Sequence, residues 1–220
     1  MSAVPSSPVV KSWQAAFDAQ LNVGASQREA FAAFLTRGLP TTKLDAWKYT
    51  DLRRLAMRQF RLPSSNSTQA PVDELLLPLK GSHRFVFVDG VLAPSVQPLR
   101  TTVAPPSSRA DAFDLLNAAL SSDSVQIRVA DDQVTDSPIY LAFVWTKESA
   151  ALMMHPRVQL SLGRNSKATL IEHHIGLNTE ANFTNAVIDI AVGDHAALEH
   201  IRVQDDAVVN FNISNVHATV

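Results

Sequence analysis

The residues best equipped for chemistry are two Glu-His pairs, Glu172-His173-His174 and Glu199-His200. Imidazole nitrogens and carboxylate oxygens both ligate iron and zinc. If the two pairs are laid in register on neighbouring strands, His173 falls beside His200 across one strand spacing of about 4.8 Å. A two-histidine ladder needs at least one more aimed ligand, and a slip of one residue places Glu172 beside His200 as an ordinary surface pair. His173 and His200 are therefore weak metal candidates only, no metal site is assigned, and the segment reads first as the polar face of a repeating structure. Glu172 and Glu199 are also the carboxylate pair that could serve polysaccharide cleavage on stacked strands.

Other chemistry is sparse. The chain has no G-x-S-x-G elbow, phosphate-binding loop, dinucleotide fingerprint or H-E-x-x-H pair, so no catalytic residue is assigned and a non-enzyme is expected. It contains no cysteine, which removes disulfides, thiolate nucleophiles and direct cysteine ligation of an iron–sulfur cluster. His83, His155, His195 and His217 stand alone in turn or strand-edge contexts and read as partly exposed or hydrogen-bonded side chains. Asp131, Asp132 and Asp136 lack the spacing, glycine and terminal glutamate of a calcium loop and read as a polar turn.

These residues must be carried by elements whose character changes along the chain. After Ser6-Ser7-Pro8, Trp13, Ala16, Phe17 and Leu21 follow helical spacing. Ser26-Gln27-Arg28-Glu29 is a capping-box string, followed by an apolar stripe of Phe31, Phe34 and Leu35. Gly38 and Pro40 end that helix, and Thr50 is an N-cap candidate for a short turn presenting Leu52 and Leu55. A helical subdomain is thus expected over residues 8–62, with Trp47 and Tyr49 in its core in preference to a partner-binding patch, and Lys48, Arg53 and Arg54 on a solvated face. A linker follows over 63–82, starting with the Pro63–Pro71 stretch. Over 83–123 come a hairpin, in which Asp89-Gly90 joins Arg84–Val88 to Val91-Leu92, a loose stretch from Thr101 to Arg109, and a helix from Ala110 to Leu120 with Phe113, Leu116 and Leu120 on one side.

From 124 to 220 short strands succeed one another. Val125, Ile127 and Val129 alternate with polar residues, Ile139–Trp145 is a continuous apolar run, and Val158, Leu160 and Leu162 alternate again. Val158-Gln159-Leu160-Ser161-Leu162-Gly163 returns as Ile188-Asp189-Ile190-Ala191-Val192-Gly193, at an offset of about 30 residues. Each copy leads through a polar turn toward a Glu-His pair. Units of strand, turn, strand and long turn expose apolar rows that only the next unit can cover, which favours a parallel β-helix over an antiparallel sandwich without excluding the sandwich.

One string identifies kin. Lys43-Leu44-Asp45-Ala46-Trp47-Lys48-Tyr49-Thr50, with Leu52 and Leu55 beyond it, resembles the N-terminal signature of the SufB/SufD family of iron–sulfur cluster assembly scaffolds, and its SufD branch in particular. Asp45 stands where glutamate is more usual. Phe85-Val86-Phe87-Val88-Asp89-Gly90-Val91-Leu92 and Ala168-Thr169-Leu170-Ile171-Glu172-His173 extend the match over nearly the whole chain. The resemblance implies the N-terminal half of a family member: a mainly β, α+β protein with a small helical subdomain and the start of a right-handed parallel β-helix, truncated at its C-terminal end. It further implies a non-catalytic subunit of a SufBCD complex that pairs with SufB and the SufC ATPase, through contact residues expected beyond Val220. No cofactor is expected on this portion, the iron–sulfur cluster being the product of the complex. Residues 210–220 still alternate as a strand, so self-association through an open last rung is expected.

Composition agrees. A 220-residue chain with 46% apolar residues can bury a real core. The formal charge of −2 supplies no basic field for nucleic acid. Met1–Val10 lacks a charged, apolar leader and the Ile139–Trp145 run is too short for a membrane, so a cytoplasmic protein is expected.

Overall fold

The computed structural model describes residues 7–64, 72–93, 111–121 and 124–220. The loose stretch at Thr101–Arg109 and most of Pro63–Pro71 lie outside the described residues. The architecture is a few helices followed by a mostly parallel β-solenoid of about three turns.

Pro8 opens helix α1 (Pro8–Asp18), whose Val9 and Trp13 are buried. Helix α2 (Ala25–Arg37) starts two residues earlier than the capping-box string suggests: Gly24 is the N-cap, and its N–H donates to Gln27 Oε1 at 3.0 Å. Ser26 therefore lies inside the first turn and caps nothing. Phe31 and Phe34 are buried as expected, but Leu35 is on the solvent side. Trp13 packs edge-on against Phe34 (centroids 5.7 Å apart) and stacks on Phe183 (5.5 Å), tying the helices to the strands. The N-cap of the short helix α3 (Arg53–Ala56) is Leu52 and not Thr50; Leu52 offers no capping side chain, and the carboxylate of Asp51, one residue before it, accepts from Arg53 N at 2.9 Å. Trp47 is half-buried against Phe113 at 5.2 Å, whereas Tyr49 is exposed, so only the tryptophan of that pair joins the core.

Strands β1 (His83–Val88) and β2 (Val91–Leu92) form the expected hairpin, with Asp89 and Gly90 both at positive φ, 48° and 87°. Beyond that expectation, β1 also lies parallel to β4 (Ile139–Trp145), with Phe85 opposite Leu141. Residues 72–79, placed in the linker by sequence, lie with Val72 and Leu76 buried against the outer side of this sheet. Helix α4 (Ala112–Leu120) is capped by Asp111, which accepts from Phe113 N and Asp114 N. It is buried on every side, not along one stripe, because α2 packs on one flank and β8 (Phe183–Val192) on the other.

The solenoid is built from two parallel sheets. One runs β2-β1-β4-β7-β9, with β7 at Lys167–Gly176 and β9 at Ala197–Asp205. The other runs β10-β8-β6-β3, with β3 at Ser124–Val129, β6 at Arg157–Leu162 and β10 at Phe211–Thr219; the short β5 (Met153–Met154) also pairs with β8. Val158 pairs with Ile188 and Leu160 with Ile190, as the repeat requires. The antiparallel sandwich is thereby excluded; the sole antiparallel pair among the described strands is the β1–β2 hairpin.

Turns hold the rungs in register. Asp132, Asn165 and His195 all take positive φ (59°, 55° and 56°) in the successive turns after β3, β6 and β8. Asn165 Nδ2 donates to Asp132 Oδ1 at 2.8 Å. Gly163 sits so close to the rung below that a Cβ there would lie 2.3 Å from Asp131 Oδ1. At the opposite corner Asn178 and Asn210 exchange side-chain hydrogen bonds of 2.6 and 3.0 Å.

Candidate functional site in the solenoid lumen

Between the two sheets the inward-facing side chains stack in columns, and the register fixes their members. Phe85, Leu141, Glu172 and Arg202 make one column; Phe87, Phe143, His174 and Gln204 make the next; Ile139, Leu170 and His200 make a third. Across the lumen, Thr184 is followed by Asn212 and Ala186 by Ser214. The first two columns are apolar on β1 and β4 and polar on β7 and β9, whereas the third stays apolar through Leu170 on β7 and turns polar at His200.

Glu172 is the centre of the polar end and is fully buried. Its Oε1 accepts from His174 Nε2 at 2.7 Å, Arg202 Nη2 at 2.9 Å and Ser214 Oγ at 3.2 Å, and its Oε2 accepts from His200 Nε2 at 3.0 Å. Asn212 Nδ2 donates to His174 Nδ1 at 2.8 Å, so a neutral imidazole with its proton on Nε2 satisfies both partners. Ser214 Oγ in turn accepts from Arg202. Burial alone would push the Glu172 carboxyl up, but the hydrogen bonds from His174, His200 and Arg202 outweigh it and hold the group well below the usual carboxylate range. A carboxylate so clamped is a fixed negative charge and a poor general base, because taking up a proton would break charge-assisted hydrogen bonds.

On the outer face of the same sheet a second chain of hydrogen bonds runs through His173. Leu77 N–H donates to Tyr140 Oη at 3.2 Å, Tyr140 Oη–H donates to His173 Nδ1 at 2.7 Å, and His173 Nε2–H reaches Asp205 Oδ2 at 3.2 Å. Burial raises the Tyr140 phenol above its ordinary value. This chain straps residues 72–79 onto the solenoid.

The structure separates what the sequence placed together. His173 lies opposite Val203 and His200 opposite Leu170, so the two histidines form no ladder and face opposite sides of the sheet. Glu172 does meet His200, but inside the lumen and not at a surface. Glu172 and Glu199 are likewise on opposite faces: Glu199 is exposed, opposite Thr169, whose hydroxyl donates to it at 3.4 Å. No acid–nucleophile pair for sugar cleavage exists there. Among the described residues no three His, Asp or Glu side chains are arranged to hold a metal ion.

The four lone histidines divide. His83 and His195 are exposed, and His217 donates from Nε2 to Asp114 Oδ1 at 2.8 Å. His155 is fully buried, accepts from Asn185 Nδ2 at 3.2 Å, and is driven by burial to a pKa of about 3. The Asp131–Asp136 segment is a turn, with Asp131 Oδ1 accepting from Arg164 N at 3.1 Å. Sequence reasoning missed Arg202, Ser214, Asn212, Tyr140 and Asp205. The signal for Arg202 was present: the 30-residue offset of β6 and β8, carried on through turns of equal length, puts Arg202 on Glu172, a buried charge with its counter-charge.

The comparisons with known proteins cover this region and most of the rest of the chain. Residues 143–220 match the family described as SUF system FeS cluster assembly, SufBD core domain. The chain is 30% identical over 219 residues to the iron-sulfur cluster assembly protein SufD of Escherichia coli, covering 92% of this chain and 52% of that protein. It is 24% identical over 208 residues to an iron-sulfur cluster assembly SufBD family protein of Synechocystis sp., covering 80% of this chain and 46% of the other. The chain thus spans about half the length of the curated relatives it matches. No described helix is long and apolar enough to cross a membrane. A parallel coil matching the SufBD core domain, joined to similarity that reaches across the preceding helices, makes this chain SufD-like.

Proposed function

We propose that the protein works in iron–sulfur cluster assembly as a non-catalytic scaffold subunit of the cytoplasm, pairing with a SufB-type subunit and a SufC-type ATPase. The observation that carries this reading is the coincidence of the solenoid with the SufBD core match over residues 143–220. The lumen supports it from the chemical side: the buried carboxylate is fully engaged by its own neighbours, and the chain has no cysteine to hold a cluster. The cluster is cargo of the assembly, completed with ligands from other chains, and no resident cofactor is assigned to these residues. In this reading residues 8–62 are a helical unit, 63–82 a connection, 83–123 a lead-in and 124–220 the coil. Strands β9 and β10 are the outer strands of the two sheets, and their open edges are where further strands or a second copy of the chain add by parallel pairing.

The test is co-purification. The full-length gene product, tagged and expressed with the SufB- and SufC-type proteins of its own organism, is expected to come through size exclusion in one complex with both. Failure to hold either partner, with no loss of iron–sulfur enzyme activity when the gene is deleted, overturns the reading.

A further inference from the structure

Lys and Arg are scattered over the whole chain, yet their balance with acids divides sharply. Residues 1–64 hold nine Lys or Arg and four Asp or Glu, a formal charge of +5; residues 65–220 hold the remaining 10 and 17, a formal charge of −7. Most of the positive excess lies in one short run. Lys43, Lys48, Arg53, Arg54, Arg58 and Arg61 are all exposed, with only Asp45 and Asp51 among them as acids. Of the six cations, only Arg53 makes an ion pair among the described residues, with Asp51. Lys48 lies over the Tyr49 ring, 5.5 Å from its centroid.

The same run exposes large apolar side chains that nothing in the fold requires to be there. Tyr49 is 92% exposed, Met57 72% and Leu44 52%. Their neighbours Trp47, Leu52 and Leu55 turn inward, so the helical core holds this segment in place while its cations and apolar groups face out. A solvated face needs the charges but not the tyrosine, methionine and leucine interleaved with them. Tyrosine and arginine on an anchored segment are the residue types that dominate protein–protein binding energy.

We propose that residues 43–61 form a docking surface for an acidic protein segment that carries apolar side chains, with Lys48, Arg54 and Arg58 meeting carboxylates and Tyr49 and Met57 meeting the apolar groups. Charge complementarity sets the sign of the partner. The apolar groups within the run set its class: phosphate backbones gain nothing from Leu44 or Met57, and the only α-helix in the run, Arg53–Ala56, is too short to lie in a bilayer surface. This inference stands independently of the assembly reading, since it uses no residue of the solenoid lumen.

The probes are four labelled ligands of similar negative charge: a 16-residue peptide of Asp and Glu interspersed with Leu and Phe, an oligoglutamate, an oligo-dT strand, and phosphatidylserine–phosphatidylcholine vesicles. Binding to the full chain is read by anisotropy or co-sedimentation near 0.15 M salt. The acidic-apolar peptide is expected to bind about tenfold or more tighter than oligoglutamate and the other two, and K48E/R54E and Tyr49→Ser are each expected to weaken it by about tenfold. Circular dichroism melts verify that these exposed substitutions leave the fold intact. Preference for oligo-dT or vesicles, equal binding of both peptides, no binding, or binding indifferent to the substitutions overturns the proposal.

Discussion

The two halves of the solenoid lumen solve one packing problem in opposite ways. Around β1 and β4 the columns are filled by Phe85, Phe87, Leu141 and Phe143, with the rings of Phe87 and Phe143 stacked at 5.4 Å. One rung on, the same columns hold Glu172 and His174, and then Arg202 and Gln204. The apolar half is held by burial, which is tolerant of direction. The polar half is held by hydrogen bonds that work in one register only, because sliding β9 by two residues would leave Glu172 buried without Arg202. Stability and register are therefore carried by different rungs, and the boundary falls between β4 and β7.

Substitution at that boundary should break the contrast most visibly. Glu172→Leu, which extends the column of Leu141 by one rung, leaves Arg202, His200 and His174 without their shared acceptor and is expected to cost about 3–5 kcal/mol by denaturant unfolding. Adding His200→Leu and Arg202→Leu is expected to recover most of that loss, since an apolar column no longer strands a charge. If the triple variant is no more stable than the single one, the polar end is not an isolated exchange of one filling for another. In the apolar half, Leu141→Ala is expected to cost about 2–5 kcal/mol, equally at pH 5 and pH 8.

Acid tests Glu172 against His155, which lies outside these columns beside Asn185 and Phe183. His155 has its pKa lowered from 6.5 to about 3, so the unfolded chain binds the extra proton between those values. Its contribution is intact above pH 6.5 and is lost at about 1.4 kcal/mol per pH unit as the pH falls toward 3. Glu172 is also depressed, from 4.5, so its contribution is full above pH 4.5 and is lost only below that. Stability measured against pH should thus bend downward below 6.5 and steepen below 4.5. His155→Gln is expected to flatten the first limb, and a first limb unchanged in that variant would remove His155 as its source. The smallest expected effect is on the outer face: Tyr140→Phe deletes the bridge from Leu77 to His173 and should cost about 1–2 kcal/mol, with faster amide exchange confined to residues 72–79.

Much of the fold was legible because it is written in local chemistry. Pro8 at a first helical turn, Asp89-Gly90 in a hairpin, the alternation of β6 and β8 and the continuous run of β4 each report their own backbone state without help from distant residues. The lumen site was legible only in its parts. Two Glu-His dipeptides drew the eye to an offset of 27 residues, while β7 pairs with β9 at an offset of 30, so the similarity of the dipeptides competed with the true register. Ser26 and Thr50 were plausible caps by residue type, yet Gly24 and Leu52 hold those places, because helix starts are set by where the aromatic core draws the chain. The full burial of α4 could not be read from its pattern, since that depends on what packs on both flanks.

By itself the amino-acid sequence determined the element types, the stacking of similar strands and the family likeness, because short-range sterics and apolar periodicity act within a few residues. The tertiary structure decided which way Glu172, His173 and His200 face and which partners they keep. That outcome rests on turn geometry at Gly163 and the asparagine ladder, where close backbone approach fixes the register and one residue of slip sends every side chain to the opposite face.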